Sequence, residues 1–177
     1  MTETTAKNTR ILLPVLIGAL VAVVLGVYGA NHKPGAIVLG IKGFANLALA
    51  KSWMASIAAF FALVQLISAL IMYGKIRAFG NPPWIGTLHR WSGRLAFFVA
   101  VPVGVFCLYG LGFQHFDTRV TIHSLLGCLF FGIFTIKMLA LTKRGLAGWV
   151  LPLLGGLVFT LLVALFGTSA LWYFTNT

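Results

Sequence analysis

The sequence is almost without acids. Glu3 and Asp117 are the only carboxylate side chains in 177 residues, so paired-carboxylate catalysis and carboxylate-bound hard metals are excluded. Proton pumps and cation-coupled transporters place acids inside their membrane helices, and no apolar segment here contains one. Cysteine is nearly as scarce. Cys107 and Cys128 stand alone, which rules out a disulfide framework or thiolate cluster; both read as small buried hydrophobes rather than as a bridge. No phosphate-cradling glycine loop, dinucleotide-binding glycine pattern or His-Glu-x-x-His pair is present. Charge itself is short: 8% of residues, against about a quarter in a soluble domain. With 60% of residues hydrophobic, the solvent for most of the surface must be lipid. The chemistry left to such a chain is that of histidine, cysteine, basic side chains or a borrowed cofactor.

Apolar stretches of bilayer-crossing length, about 20 residues each, fall near 11–30, 52–74, 87–113, 120–142 and 147–173. The expected fold is therefore all-α, an integral membrane bundle of five transmembrane helices forming a single domain over 1–177. Helices two to five are expected to make its core, with helix one more peripheral. Lys7 and Arg10 before the first run could introduce a signal peptide, but its length and the lack of a small-x-small cleavage site make it a retained span. The connection "NHKPGAIVLGIKGFANLALAK" is half apolar, and part of it is expected in the membrane interface. The net charge of +11 comes from basic residues scattered at helix ends, not from a patch that would grip nucleic acid. Lys7, Arg10, Lys75, Arg77, Arg90, Lys143 and Arg144 fall on one side; Lys33, Lys42, Lys51 and Arg119 fall on the other. The positive-inside rule then places the amino terminus in the cytoplasm and the carboxyl terminus outside. Five tryptophans near predicted helix ends read as interfacial anchors.

Two segments share the pattern His-x-x-x-Gly-x-Leu-x-Phe: "HRWSGRLAFF" from His89 and "HSLLGCLFFG" from His123. Gly93 and Gly127 each follow their histidine by four residues, on the same helical face. A missing side chain there admits a flat group or another helix close to the backbone. A haem edge with the histidine on its iron would suit. Across an antiparallel hairpin of helices three and four the two histidines are separated by roughly 20 residues of depth, or about 30 Å. One metal cannot hold both, so the repeat implies a site on each side of the membrane. Arg90, Arg94 and Lys137, all toward the cytoplasmic end, are candidates to gather around an anion such as haem propionates, a quinone under reduction or lipid phosphates. Snorkelling to the surface is the plainer reading for Arg94 and Lys137.

The stretches "TLHRWSGRLAFF", "DTRVTIHSLLGCLFFGIFTIK" and "GTSALWYF" resemble a group of small bacterial integral membrane proteins, over most of residues 50–175. These in turn resemble transmembrane b-type cytochromes, in which histidines on consecutive antiparallel helices serve different haems. The resemblance implies a bacterial cytoplasmic membrane location and haem b on His89 and His123. The sequence departs from that pattern: two bis-histidine haems need four intramembrane histidines, and only two are present. In helix three, where the resemblance implies another histidine, Phe106, Cys107 and Tyr109 stand in "FCLYG". Met72 and Met138 near His89, and Cys107, Met54, His115 or His32 near His123, are the alternative second ligands. Two functions are thus expected in competition. One is an electron-transfer subunit holding haem b, with a quinone as a further candidate, between redox partners; the other is a non-redox accessory subunit of a larger membrane complex. In the second, Gly104, Gly127, Gly132, Gly155 and Gly156 would serve helix contacts.

Overall fold

The computed structural model describes residues 2–33, 46–78 and 80–176, with side chains in the first segment from residue 10 onward. It is all-α. Among the described residues five helices are long and apolar enough to cross a membrane: Arg10–Asn31, Leu47–Met72, Ile85–Leu111, Thr118–Leu141 and Val150–Asn176. We name the elements α1 (Thr2–Asn31), α2 (Leu47–Met72), α3 (Ile85–Val105), α4 (Thr118–Leu141), α5 (Val150–Phe166) and α6 (Trp172–Asn176). Wider π-turns, Phe106–Leu111 and Gly167–Leu171, prolong α3 and join α5 to α6. The first follows Pro102, which interrupts the helical hydrogen-bond ladder without breaking the helix.

Local chemistry fixes two of the helix starts. Asn46 is extended, and its side chain accepts from the Leu49 amide at 2.8 Å, the geometry that makes asparagine a preferred N-cap. This cap begins α2 at Leu47, five residues earlier than hydropathy suggests, so the last part of the long connection is helix. Most of that connection, residues 34–45, lies outside the described residues. Asp117 does the same for α4, accepting from the Arg119 amide at 3.3 Å.

The chain divides into two compact units. In the first, residues 1–34 and 111–165, α1 lies along α4. A Cβ built on Gly132 would come 2.7 Å from the Gly18 carbonyl oxygen and 2.9 Å from the Ala22 methyl; one on Gly18 would meet Ile136 and, at 2.5 Å, the Gly132 oxygen. The two backbones touch because neither carries a side chain at the crossing. Ile11 packs on a core of Ile136, Ala140, Val150 and Leu154. α1 supplies half of this interface, where Gly18 carries no side chain and Ala22 only a methyl. Gly132 has the contact role foreseen for it, whereas Gly127, Gly155 and Gly156 face no atom within 4 Å.

In the second unit, residues 35–110 and 166–177, α2 and α3 form the main pair. The buried face of α2 is built of Ala50, Ser52, Ala58, Ala62, Ser68 and Ile71, all but the last small side chains, which allow close helix approach. The α6 end is tied to the start of α2 by the Trp53–Phe174 edge contact at 5.7 Å and by the Tyr173 hydroxyl, 3.4 Å from Asn46 Oδ1. Cys107 and Cys128 are both free thiols and are half-buried rather than buried.

Candidate functional site

The two copies of the histidine–glycine motif occupy different units and have different surroundings. His89, near the start of α3, faces the end of α2. Its Nδ1 lies 2.9 Å from Ser68 Oγ, and that hydroxyl also reaches the Gln65 carbonyl at 3.0 Å. A hydroxyl has one proton. Spent on the Gln65 carbonyl, it leaves His89 to donate from Nδ1; spent on Nδ1, it makes the ring the acceptor.

The glycine of this copy has a definite purpose. A Cβ on Gly93 would stand 2.8–3.1 Å from three atoms of the Gln65 carboxamide. The Gln65 Nε2 donates to the His89 carbonyl and, at 3.2 Å, to Ser92 Oγ, while Ser92 Oγ donates to the same carbonyl at 3.2 Å. Ser68 and Ser92 are both buried. Gln65, Ser68, His89 and Ser92 thus form one polar interlock between α2 and α3, and the side chain of Gln65 takes the space that Gly93 vacates. Sequence reasoning passed over Gln65, Ser68 and Ser92. A signal existed: Gln65 and Ser68 are polar, three residues apart on one face of an apolar helix, where polar groups seek interhelical partners.

His123 lies in the first unit, one turn into α4. There the turn 112–117 folds back on both helices. The Phe113 amide donates to the Gly29 carbonyl at 2.8 Å, and Ser124 Oγ bonds the Gln114 amide and carbonyl at 3.3 and 3.1 Å. Gly112 has φ +69°, and a Cβ on it would press to 3.0 Å from the Gly29 oxygen, so this turn requires glycine. His32 stacks on Tyr28, ring centres 4.8 Å apart, at the same end of the unit. Cys128 Sγ lies against Gly26, where a Cβ would come within 3.9 Å of it. His123 and Gly127 are half-buried. In contrast to Gly93, a Cβ on Gly127 would meet no atom within 4 Å.

The basic candidates do not share one environment. Arg90 and Arg94 are exposed on α3: Arg90 donates to Thr87 Oγ1 at 3.1 Å, and the Arg94 guanidinium lies 5.1 Å from the Trp91 ring centre, a cation–π pairing. Lys137 is half-buried on α4, in the other unit. Met72 and Met138 are exposed at the ends of α2 and α4. Among the described residues no group of three or more histidines, cysteines or acids converges on a point where a metal would sit.

Comparison with curated proteins and with solved structures gives no match. A family model does match, from residue 11 to residue 177. That span takes in both histidine–glycine copies and, but for Arg10, all five membrane-length helices, and on it the chain belongs to the DUF6529 family, a family of unknown function.

Proposed function

We propose that this multi-pass membrane protein is an electron-transfer subunit resembling a b-type cytochrome, with its haem on the His123–Gly127 face of α4. The observation that carries the reading is the open flank of Gly127, one turn from His123, beside a Gly93 flank that Gln65 fills. A planar macrocycle brought edge-on to a helix needs a residue without a side chain there and nothing else in the gap; the second copy meets both conditions and the first does not. His89 is bonded through Nδ1 to Ser68. The closed Gly93 flank makes it the weaker haem candidate.

A bound haem would supply a one-electron carrier within the bilayer. The chain's own residues would supply the axial imidazole of His123, the gap at Gly127 and, through the Gln114–Ser124 bonds, a fixed start to α4. Donor and acceptor would be a quinone or soluble carrier and a membrane partner, in a bacterial cytoplasmic membrane with the amino terminus inside. Arg90, Arg94 and Lys137 would interact with anionic groups at that inner face.

The competing reading, a non-redox accessory subunit, is favoured by the Gln65 interlock, because it shows one motif copy fully used in packing. Oxidised and dithionite-reduced spectra of the detergent-purified protein, expressed with haem supplied, separate the two. The redox reading expects a Soret band and a reduced α-band, lost in His123→Ala and retained in His89→Ala. A colourless wild-type protein would overturn it in favour of the accessory subunit.

A further inference from the structure

We infer that Arg10, Lys143 and Arg144 form a binding site for the phosphate of an anionic lipid headgroup at the end of the α1–α4 pair. Arg10 opens the apolar stretch of α1, and its Nη1 donates to the Arg144 carbonyl at 2.9 Å. The bond holds the guanidinium against the turn that carries Lys143 and Arg144. Gly145 makes the approach possible: its φ is +73°, and a Cβ there would lie 2.7 Å from Arg10 Nη1. Among the described residues one donor of five is committed, to the carbonyl, and the rest of the planar fork can take an oxyanion, the geometry suited to phosphate.

Ordinary helix capping does not account for the three cations. The Leu139 and Ala140 carbonyls in the last turn of α4 are closed by the chain itself: the Thr142 amide and Oγ1 reach the Leu139 oxygen at 3.2 and 2.8 Å, and the Lys143 amide reaches the Ala140 oxygen at 3.0 Å. Nor does a carboxylate neutralise them among the residues whose side chains are described. The only acid there, Asp117, caps the opposite end of the 24-residue α4, about 36 Å away, and pairs with Arg119 at 3.7 Å. Depth is marked independently by Trp149, 64% exposed just before α5 begins, as an indole at headgroup level would be. Three exposed cations at that level, one of them pinned, match the charge and position of a lipid phosphate.

The test is thermal unfolding of the full-length protein in neutral detergent, titrated with phosphatidylglycerol, phosphatidylcholine or inorganic phosphate. Phosphatidylglycerol is expected to raise the midpoint more than phosphatidylcholine does, and inorganic phosphate to leave it unchanged. Lys143→Gln with Arg144→Gln keeps the backbone carbonyl that Arg10 uses and is expected to weaken phosphatidylglycerol binding by about fivefold per cation removed. Lys75→Gln with Arg77→Gln removes the same charge from the other unit and is expected to leave the preference intact. Equal responses to the two lipids, an equal response to inorganic phosphate, or equal losses in the two double variants would each overturn the site.

Discussion

Replacing Gly93 by alanine and, separately, Gly127 by alanine sets the two copies of one motif against each other. Both glycines lie inside helices, so both substitutions gain the same intrinsic helix propensity, about 1 kcal/mol, and that gain cancels in the comparison. What remains is the space each new methyl meets. At Gly127 it meets nothing within 4 Å; at Gly93 it lies 2.8–3.1 Å from the Gln65 carboxamide, too close for an unshifted side chain. The end of a glutamine can swing away, but doing so gives up its bonds to the His89 carbonyl and Ser92 Oγ. At about 0.5–1.5 kcal/mol for each bond, Gly93→Ala is expected to be less stable than Gly127→Ala by roughly 1–3 kcal/mol. Reversible unfolding of the two variants in mixed micelles, each beside wild type, measures the difference. Adding Gln65→Ala to Gly93→Ala should cost less than the two single changes together, since the clash and the lost bonds are then counted once. Equal stabilities for the two alanine variants, or strict additivity with Gln65→Ala, would refute the interlock.

Gly132→Ala is expected to destabilise by about 1–3 kcal/mol, as overpacking does, because the methyl would face the Gly18 carbonyl and the Ala22 methyl rather than a movable side-chain end; Gly156→Ala in the same assay is the open-space control. Asp117→Ala should cost about 1 kcal/mol through the lost cap of α4, while Asp117→Asn keeps the acceptor and should cost far less. If the two were equally damaging, the exposed pairing with Arg119 rather than the cap would be carrying the stability, against the small contribution usual for such pairs.

The five membrane-length helices were legible because hydropathy over some twenty residues is a property of the segment alone. The early start of α2 was less so: Leu47–Ala50 is apolar, but only the conformation of Asn46 tells a helix from an interfacial strand of chain. The repeated motif was also visible, yet its meaning at His89 depends on Gln65 and Ser68, more than twenty residues upstream on another helix. No local pattern could distinguish a glycine filled from across the helix pair, Gly93, from one left open, Gly127. Gly132 was named among the contact glycines, while its partner Gly18 sat unremarked in a helix expected at the edge.

The Gly18–Gly132 crossing also sets an order of assembly. The α2–α3 pair forms from neighbours in the chain, whereas α1 must await a partner synthesised more than a hundred residues after its own contact residue. At ribosomal speeds that is a wait of roughly ten seconds, during which α1 stands in the bilayer with its small-residue groove open. A helix can endure this because its backbone hydrogen bonds are satisfied within itself. The same groove, until α4 arrives, is a place where another newly made helix with small residues can dock, so the wait for α4 is the interval in which this unit is open to mispairing.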